Sequence, residues 1–245
     1  MEITSINNEL VKETVKLQQK KYRDKENKFL LEGWKCVEEA IAAGLKIDYI
    51  FTTNNKKYKY DNVILTTEAV LKKISTTDTP PEIVAVAEKK TYSVEDIRTA
   101  KKLILLENIK DMGNLGTILR TSAAFGADGI ILYGKECADI YNPKCVRSAV
   151  GNLWKLPVVY IEDFDLLNKY FSKFERIATL PRSKNCLKDF YVNTPILVMF
   201  GSEADGLSND LQKFATQDVK IEMAENVESL NLSVSCAVVL YELFL

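Results

Sequence analysis

Ser229, Asn231 and Ser233 lie within five residues of one another, directly ahead of an apolar helical pattern made by Val234, Ala237, Val238, Tyr241 and Leu245. A single hydroxyl or amide caps a helix, so three of them point to ligand binding beside the capping and turn chemistry that they also serve. A second ligand signal precedes it. The run 196–200 reads as a buried strand that enters Gly201-Ser202-Glu203-Ala204-Asp205-Gly206-Leu207, where Gly201 would let backbone approach a ligand with no side chain between. The chain has no histidine, which removes Ser-His-Asp and Cys-His catalysis and the commonest general base. Carboxylates, lysine, tyrosine or a reactive cofactor are left to drive any reaction. The five cysteines, Cys36, Cys137, Cys145, Cys186 and Cys236, show no CxxC spacing, so they read as reduced structural thiols and no metal site is expected.

The elements that position these loops belong to a chain of 245 residues, 47% hydrophobic and 27% charged, long enough for two domains with separate cores. It has no apolar run of about eighteen residues. Its N-terminal segment is too polar for a signal peptide, so a cytoplasmic protein without a membrane partner is expected. A net charge of -1 gives no global basic field. Locally, Lys12, Lys16, Lys20, Lys21, Arg23, Lys25 and Lys28 face only Glu13, Asp24 and Glu26. A helix over 8–21, with Leu10, Val11, Val15 and Leu17 on its apolar side, leaves this charge in solvent. The charge is then either a solvated face or a patch contacting nucleic-acid phosphates through Lys20, Lys21, Arg23 and Lys25.

Further elements follow from periodicity and breakers. A helix over 34–43 places Trp34, Val37, Ala40 and Ile41 on one face and stops at Gly44. Strands are predicted at 47–51, 63–65 and 83–87, with a helix over 67–74 capped by Thr67. The polar segment 89–102 reads as a linker or connecting helix, dividing a smaller domain, 1–92, from a larger one, 93–245. In the larger, the aliphatic run 103–106 is a buried strand, followed by a helix ending near Gly126. Strands at 129–132, 158–161, 176–180, 196–200 and 219–221, with helices between most of them, predict an α/β fold with a mainly parallel sheet and ligand loops at the strand C-termini. Gly113-x-x-Gly116 is neither GxGxxG nor GxxxxGK[ST], so dinucleotide or triphosphate binding, and with it an oxidoreductase, has weak support.

Three ordered segments, ENIKDMGNLGTILRTSAAFG, LVMFGSEADGL and IEMAENVESLNLSVSCAVVLYEL, resemble the motifs of the SpoU/TrmH family of RNA 2'-O-ribose methyltransferases. The intervening NPKCVRSAVGNLWKLPV is similar to the family's segment between the first two motifs, and residues 3–41 resemble its N-terminal, L30e-like substrate-binding domain. The resemblance covers nearly the whole chain. It implies S-adenosylmethionine held in a trefoil knot of the SPOUT type, a homodimer paired through the catalytic domain, and RNA as substrate, ribosomal rather than transfer RNA. By position it makes Thr179, Leu180, Gly201, Ile221, Met223 and Leu230 cofactor contacts, and Asn114, Arg120, Glu203, Ser229 and Asn231 the functional polar residues. Met112 stands where the family usually has proline, and Glu222 and Glu225 where proline and glycine are usual, which bears on loop rigidity rather than on catalytic side chains.

A sulfonium carries an already activated methyl group, so such an enzyme has to align substrates and remove a proton. Neutralising any guanidinium near pH 7 costs roughly 8 kcal/mol. The reading for Arg120 is therefore a clamp on the neighbouring phosphate that steadies the forming alkoxide, with proton acceptance as the alternative. Glu203 would hold Arg120 or the substrate, and Asn114, Ser229 and Asn231 would bind ribose, phosphate or cofactor. The rival of another class is an RNA-binding or ribosome-assembly protein that keeps this fold without catalysis. A transfer-RNA ribose methyltransferase is the rival within the class.

Overall fold

The computed structural model describes residues 1–54, 60, 62–191, 193 and 195–245. Its strands are β1 (Glu2–Ile3), β2 (Lys28–Glu32), β3 (Ile47–Thr52), β4 (Val63–Thr66), β5 (Ile83–Glu88), β6 (Lys102–Glu107), β7 (Gly129–Tyr133), β8 (Val158–Ile161), β9 (Glu175–Thr179), β10 (Ile196–Phe200) and β11 (Gln217–Val219). Its α-helices are α1 (Glu9–Lys16), α2 (Lys20–Glu26), α3 (Trp34–Ala42), α4 (Glu68–Ile74), α5 (Met112–Ala124), α6 (Pro143–Ala149), α7 (Phe164–Phe171), α8 (Asn209–Phe214) and α9 (Leu232–Phe244). They form two compact units, Met1–Lys90 with Asp139–Trp154, and Thr91–Ala138 with Lys155–Leu245. Residues 139–154, which the sequence reading left in the second domain, thus pack with the first.

The first unit holds a five-stranded sheet ordered β1-β4-β3-β5-β2, parallel from β1 to β3 and antiparallel at β3/β5 and β5/β2. Val11 and Leu17 pack with Val70 and Ile74 of α4 on Leu30, Phe51 and Val84 of the sheet. Strand β2 was not assigned from sequence, because a short apolar run does not distinguish helix from strand; pairing with β5 decides it. On α3, Cys36, Val37 and Ala40 face inward. Trp34 and Ile41, expected on that face, are exposed. Gly44 does terminate the helix, at φ +74°.

The helix expected over 8–21 is two helices. The chain breaks at Leu17–Gln19 because its peptide groups are claimed from outside the helix. Arg23 Nη1 donates to the carbonyls of Leu17 (3.0 Å) and Gln18 (2.8 Å), while Gln18 Nε2 donates to Ile74 (3.1 Å) and Ser75 (3.2 Å) at the end of α4. Arg23 also pairs with Asp139, its Nη2 2.7 Å and Nε 3.0 Å from Oδ2, and its side chain is only 2% exposed. The nucleic-acid role expected for Arg23 is therefore corrected, since a buried, fully engaged guanidinium has nothing left for a phosphate. Lys20, Lys21 and Lys25 do lie on the surface, with Lys20 paired to Asp24 and Lys25 to Glu26.

The second unit carries a six-stranded sheet ordered β11-β9-β10-β6-β7-β8, with every pairing parallel. Leu103 to Leu106, Ile130 to Leu132 and Ile196 to Met199 are fully buried, as central parallel strands covered on both faces require. Strand β11 lies two residues earlier than predicted, and Lys220 makes only an isolated bridge to Cys186. The apolar face predicted for α9 is also corrected. Ser233, Cys236, Val239, Leu240 and Phe244 are buried, whereas Val234, Val238, Tyr241 and Leu245 are exposed. This helix is apolar all round, so periodicity could not orient it, and packing against α5 does. Burial pushes the thiols of Cys36 and Cys137 up to about 12 and about 11 and that of Cys236 well above its ordinary value, as structural cysteines require. Among the described residues, no helix is long and apolar enough to cross a membrane.

Removing the Arg23 side chain leaves the Asp139 carboxylate buried without its cation. Arg23→Ala should therefore lower the unfolding free energy of the first unit by about 3–5 kcal/mol in urea titrations. A loss below about 1 kcal/mol would mean that the pair contributes nothing beyond a surface salt bridge.

Candidate active site

In the second unit the chain reverses direction across the sheet: β7 and β8 lie on one side of β6, and β10, β9 and β11 on the other. At such a switch point, loops leaving strand C-termini diverge and open a crevice. A cavity of about 880 Å³ lies at the C-terminal ends of β9, β10 and β11 and the start of α9. Thr179, Leu180, Gly201, Ile221, Met223 and Leu230, all read from sequence as cofactor contacts, line it. Glu203, Ser229 and Asn231 line it too.

Gly201 also performs a task that its sequence position did not announce. A Cβ there would lie 1.9 Å from the Gly206 carbonyl carbon and 2.1 Å from the Leu207 nitrogen. Glycine is required so that the loop can close on itself, held by reciprocal backbone hydrogen bonds between Ser202 and Gly206 (3.2 and 3.1 Å). Gly206 turns the chain at φ +68°. The loop's far end is anchored by Glu107 at the end of β6, whose Oε2 accepts the Ser208 amide at 2.7 Å.

A polar chain joins three segments far apart in sequence. Asn114 Nδ2 donates to Glu203 Oε1 (2.9 Å), and Asn231 Nδ2 donates to Asn114 Oδ1 (3.1 Å). Asn231 Oδ1 in turn accepts from the Ser233 amide (2.9 Å) and hydroxyl (2.6 Å), capping α9. Each amide is thereby held in one orientation, and Glu203 keeps acceptor capacity facing the cavity. Asn114 sits in the first turn of α5 because Asp111 caps that helix, its Oδ1 accepting the Asn114 amide at 2.7 Å. That cap supplies, at Met112, the fixed helix start that a proline would otherwise favour.

Arg120 is not among the cavity's residues. It is exposed on α5 in a stripe with Thr117 and Ala124, and Glu203, suggested as its holder, bonds to Asn114 instead. Two cationic residues that the sequence reading missed, Arg182 and Lys220, do line the cavity. Their signal was positional, since each closely follows the end of a strand. Glu222 points its carboxylate at Lys188 (2.7 Å), while its neighbours Ile221 and Met223 line the cavity. Hydrogen bonds from Lys188 and Cys186 hold the Glu222 carboxyl low, and the charges of Lys188 and Lys220 add to this. The segments after β9 and β11 are also tied by the backbone bonds Lys220 to Asn185 and Leu187 to Lys220, both 2.9 Å, so this stretch is fixed without proline. Among the described residues, no group of three or more acidic or cysteine side chains is placed to hold a metal ion.

A cavity at the C-terminal ends of parallel strands, walled by a closed glycine loop and a capped helix, defines a small-molecule site of an α/β enzyme. Residues 101–241 match the SpoU rRNA Methylase family, and residues 8–85 match the MRM3-like substrate binding domain. The chain belongs to the SpoU rRNA methylase family. It is 35% identical to an uncharacterized tRNA/rRNA methyltransferase of Synechocystis, over 98% of this chain and 92% of that one. It is 29% identical to the 23S rRNA (guanosine(2553)-2'-O)-methyltransferase RlmP of Bacillus subtilis, over 99% and 98%. An AdoMet-bound rRNA methyltransferase from Sinorhizobium meliloti superposes with a TM-score of 0.89 at 29% identity, over 99% and 96% of the two chains.

If loop closure depends on Gly201, then Gly201→Ala must push the 201–207 loop open. Hydrogen exchange of the Ser202 and Gly206 amides should accelerate by about tenfold or more, while amides of β6 and β7 keep their protection. Unchanged exchange at both loop amides would show that the loop tolerates a Cβ.

Proposed function

We propose that this protein transfers the methyl group of S-adenosylmethionine to a ribose 2'-hydroxyl of ribosomal RNA, of the 23S type. The observation that carries this reading is convergence: six cofactor positions separated in sequence line one cavity, and Glu203 and Asn231 in its wall are each bonded to Asn114 on α5. The residues fit the cofactor. Leu180, Ile221, Met223 and Leu230 offer apolar surface to an adenine and a methionine chain, backbone groups of the strand ends offer polar contacts, and the volume is that of a nucleoside-sized site. When bound, S-adenosylmethionine supplies a methyl group on a sulfonium, so no metal or covalent enzyme intermediate is needed. Alignment over 99% of this chain with a 23S rRNA enzyme favours ribosomal over transfer RNA, and such a reaction belongs in the cytoplasm.

In this reading Asn114, Glu203, Ser229 and Asn231 orient the ribose and its neighbouring groups at the cavity mouth. Arg120 remains a phosphate clamp that steadies negative charge as the alkoxide forms. Its exposed position on α5 leaves the guanidinium free for RNA. We also propose a homodimer paired through the second unit. The exposed face Val234, Val238, Tyr241 and Leu245 of α9, edge-on to Phe125 through Tyr241, supplies an apolar surface of the kind a dimer covers. Helix α5, which bears Arg120, packs against α9. Lys20, Lys21 and Lys25 add phosphate contacts that do not select the base.

Arg120→Ala should lower the single-turnover methylation rate of ribosomal RNA by about two to three orders of magnitude. Binding of S-adenosylmethionine, followed by calorimetry, should stay at the wild-type level. A wild-type rate with saturating RNA and cofactor would remove Arg120 from the chemistry. Light scattering at micromolar concentration should give twice the chain mass of 27.7 kDa, and a monomer mass would count against the dimer.

A further inference from the structure

The charges lining the cavity are sorted by strand. Glu203 and Asp205 stand on the loop after β10, while Arg182 and Lys220 follow β9 and β11 on the outer side of the same sheet. Both acids are engaged, Glu203 by Asn114 and Asp205 by Ser202. Neither cation is. Among the described residues, Arg182 and the Lys220 ammonium make no hydrogen bond or ion pair, although Lys220 contributes to the field at Glu222. The backbone that carries Arg182 is nevertheless fixed. Ser183 N donates to the Leu180 carbonyl (3.1 Å), the buried Ser183 accepts the Asn185 amide on Oγ (3.0 Å), and Asn185 Nδ2 donates to the Asp218 carbonyl (2.9 Å). The register of β9 on β11 pairs Thr179 with Val219, so the two cations emerge from neighbouring strand ends. Each is also flanked in sequence by residues of the cavity wall, Arg182 by Leu180 and Pro181, and Lys220 by Val219 and Ile221.

We propose that Arg182, assisted by Lys220, binds the α-carboxylate of the cofactor's methionine moiety and fixes which end of the ligand faces Glu203. This rests on the S-adenosylmethionine reading above. A ligand with a carboxylate at one end and a sulfonium further along matches a cavity whose cations and acids lie on opposite sides. A planar guanidinium takes a carboxylate through two parallel hydrogen bonds, and its rigid fork loses less freedom per bond formed than a flexible ammonium does. Arg182 is exposed and Lys220 half-buried, yet both line the cavity that takes the cofactor, which favours the cofactor over an RNA phosphate.

The test compares S-adenosylmethionine with decarboxylated S-adenosylmethionine, which lacks only the carboxylate, by calorimetry on the full-length wild type, Arg182→Ala, Arg182→Lys and Lys220→Ala. Arg182→Ala should weaken S-adenosylmethionine by about 10- to 100-fold, the range for a hydrogen bond to a charged group, and leave the decarboxylated analogue within about twofold. Arg182→Lys should recover part of the loss, and Lys220→Ala should show a smaller one. Equal weakening of both ligands would overturn the proposal, because Arg182 would then only shape the wall. Unchanged cofactor affinity with weakened ribosomal RNA binding would overturn it in favour of a phosphate contact. Wild-type protein that binds neither ligand would instead overturn the cofactor reading itself.

Discussion

The closure of the 201–207 loop on its own backbone is the constraint on which the site depends. With no Cβ at Gly201, the strand end passes within contact of the Gly206–Leu207 peptide, and the loop folds back rather than extending. This places Glu203 where it meets Asn114 and leaves Leu207 buried as an anchor in the sheet's core. The Glu107 bond to Ser208 then starts α8 at a fixed point. A side chain at 201 would displace the loop and, through Glu203, the amide chain reaching the first turn of α9.

That amide chain also explains how the site works without histidine. Asn114 and Asn231 are each used at both ends of the side chain, as donor and as acceptor, so neither can rotate without breaking a bond. Preorganised dipoles of this kind suit a reaction in which the transferred group arrives activated and alignment is the enzyme's main contribution. Positive charge is divided between Arg120, outside the cavity on α5, and Arg182 and Lys220 at the cavity wall.

The first unit is stabilised by ion pairs to the segment 139–154 as well as by its sheet core. Arg23 meets Asp139, Arg147 reaches Glu32 at 2.7 Å, and Tyr141 and Trp154 pack around Phe29. Glu32 is itself satisfied by the Thr76 amide and hydroxyl, both at 2.8 Å. Buried charges of this type are tolerated because every partner is present, and they fix one arrangement of the segment rather than adding much net stability. The same geometry removes Arg23 from the basic surface that a reading of local charge assigns it.

Local pattern determined much of this protein. The aliphatic runs at 103–106, 129–132 and 196–200 declared buried parallel strands, and Thr67 and Gly44 marked helix ends. Each of these is a property of neighbouring residues, set by side-chain period, capping chemistry or backbone freedom. Tertiary structure alone decided what depends on distant partners. The division of 8–21 into two helices needed the end of α4 and Arg23, and the burial of Arg23 needed Asp139. A mostly apolar α9 could be oriented only by α5, and Arg182 and Lys220 were brought to one cavity only through the pairing of β9 with β11. Gly201 was legible as a constrained position, but the group pressing on it belongs to its own loop, which no residue type announces.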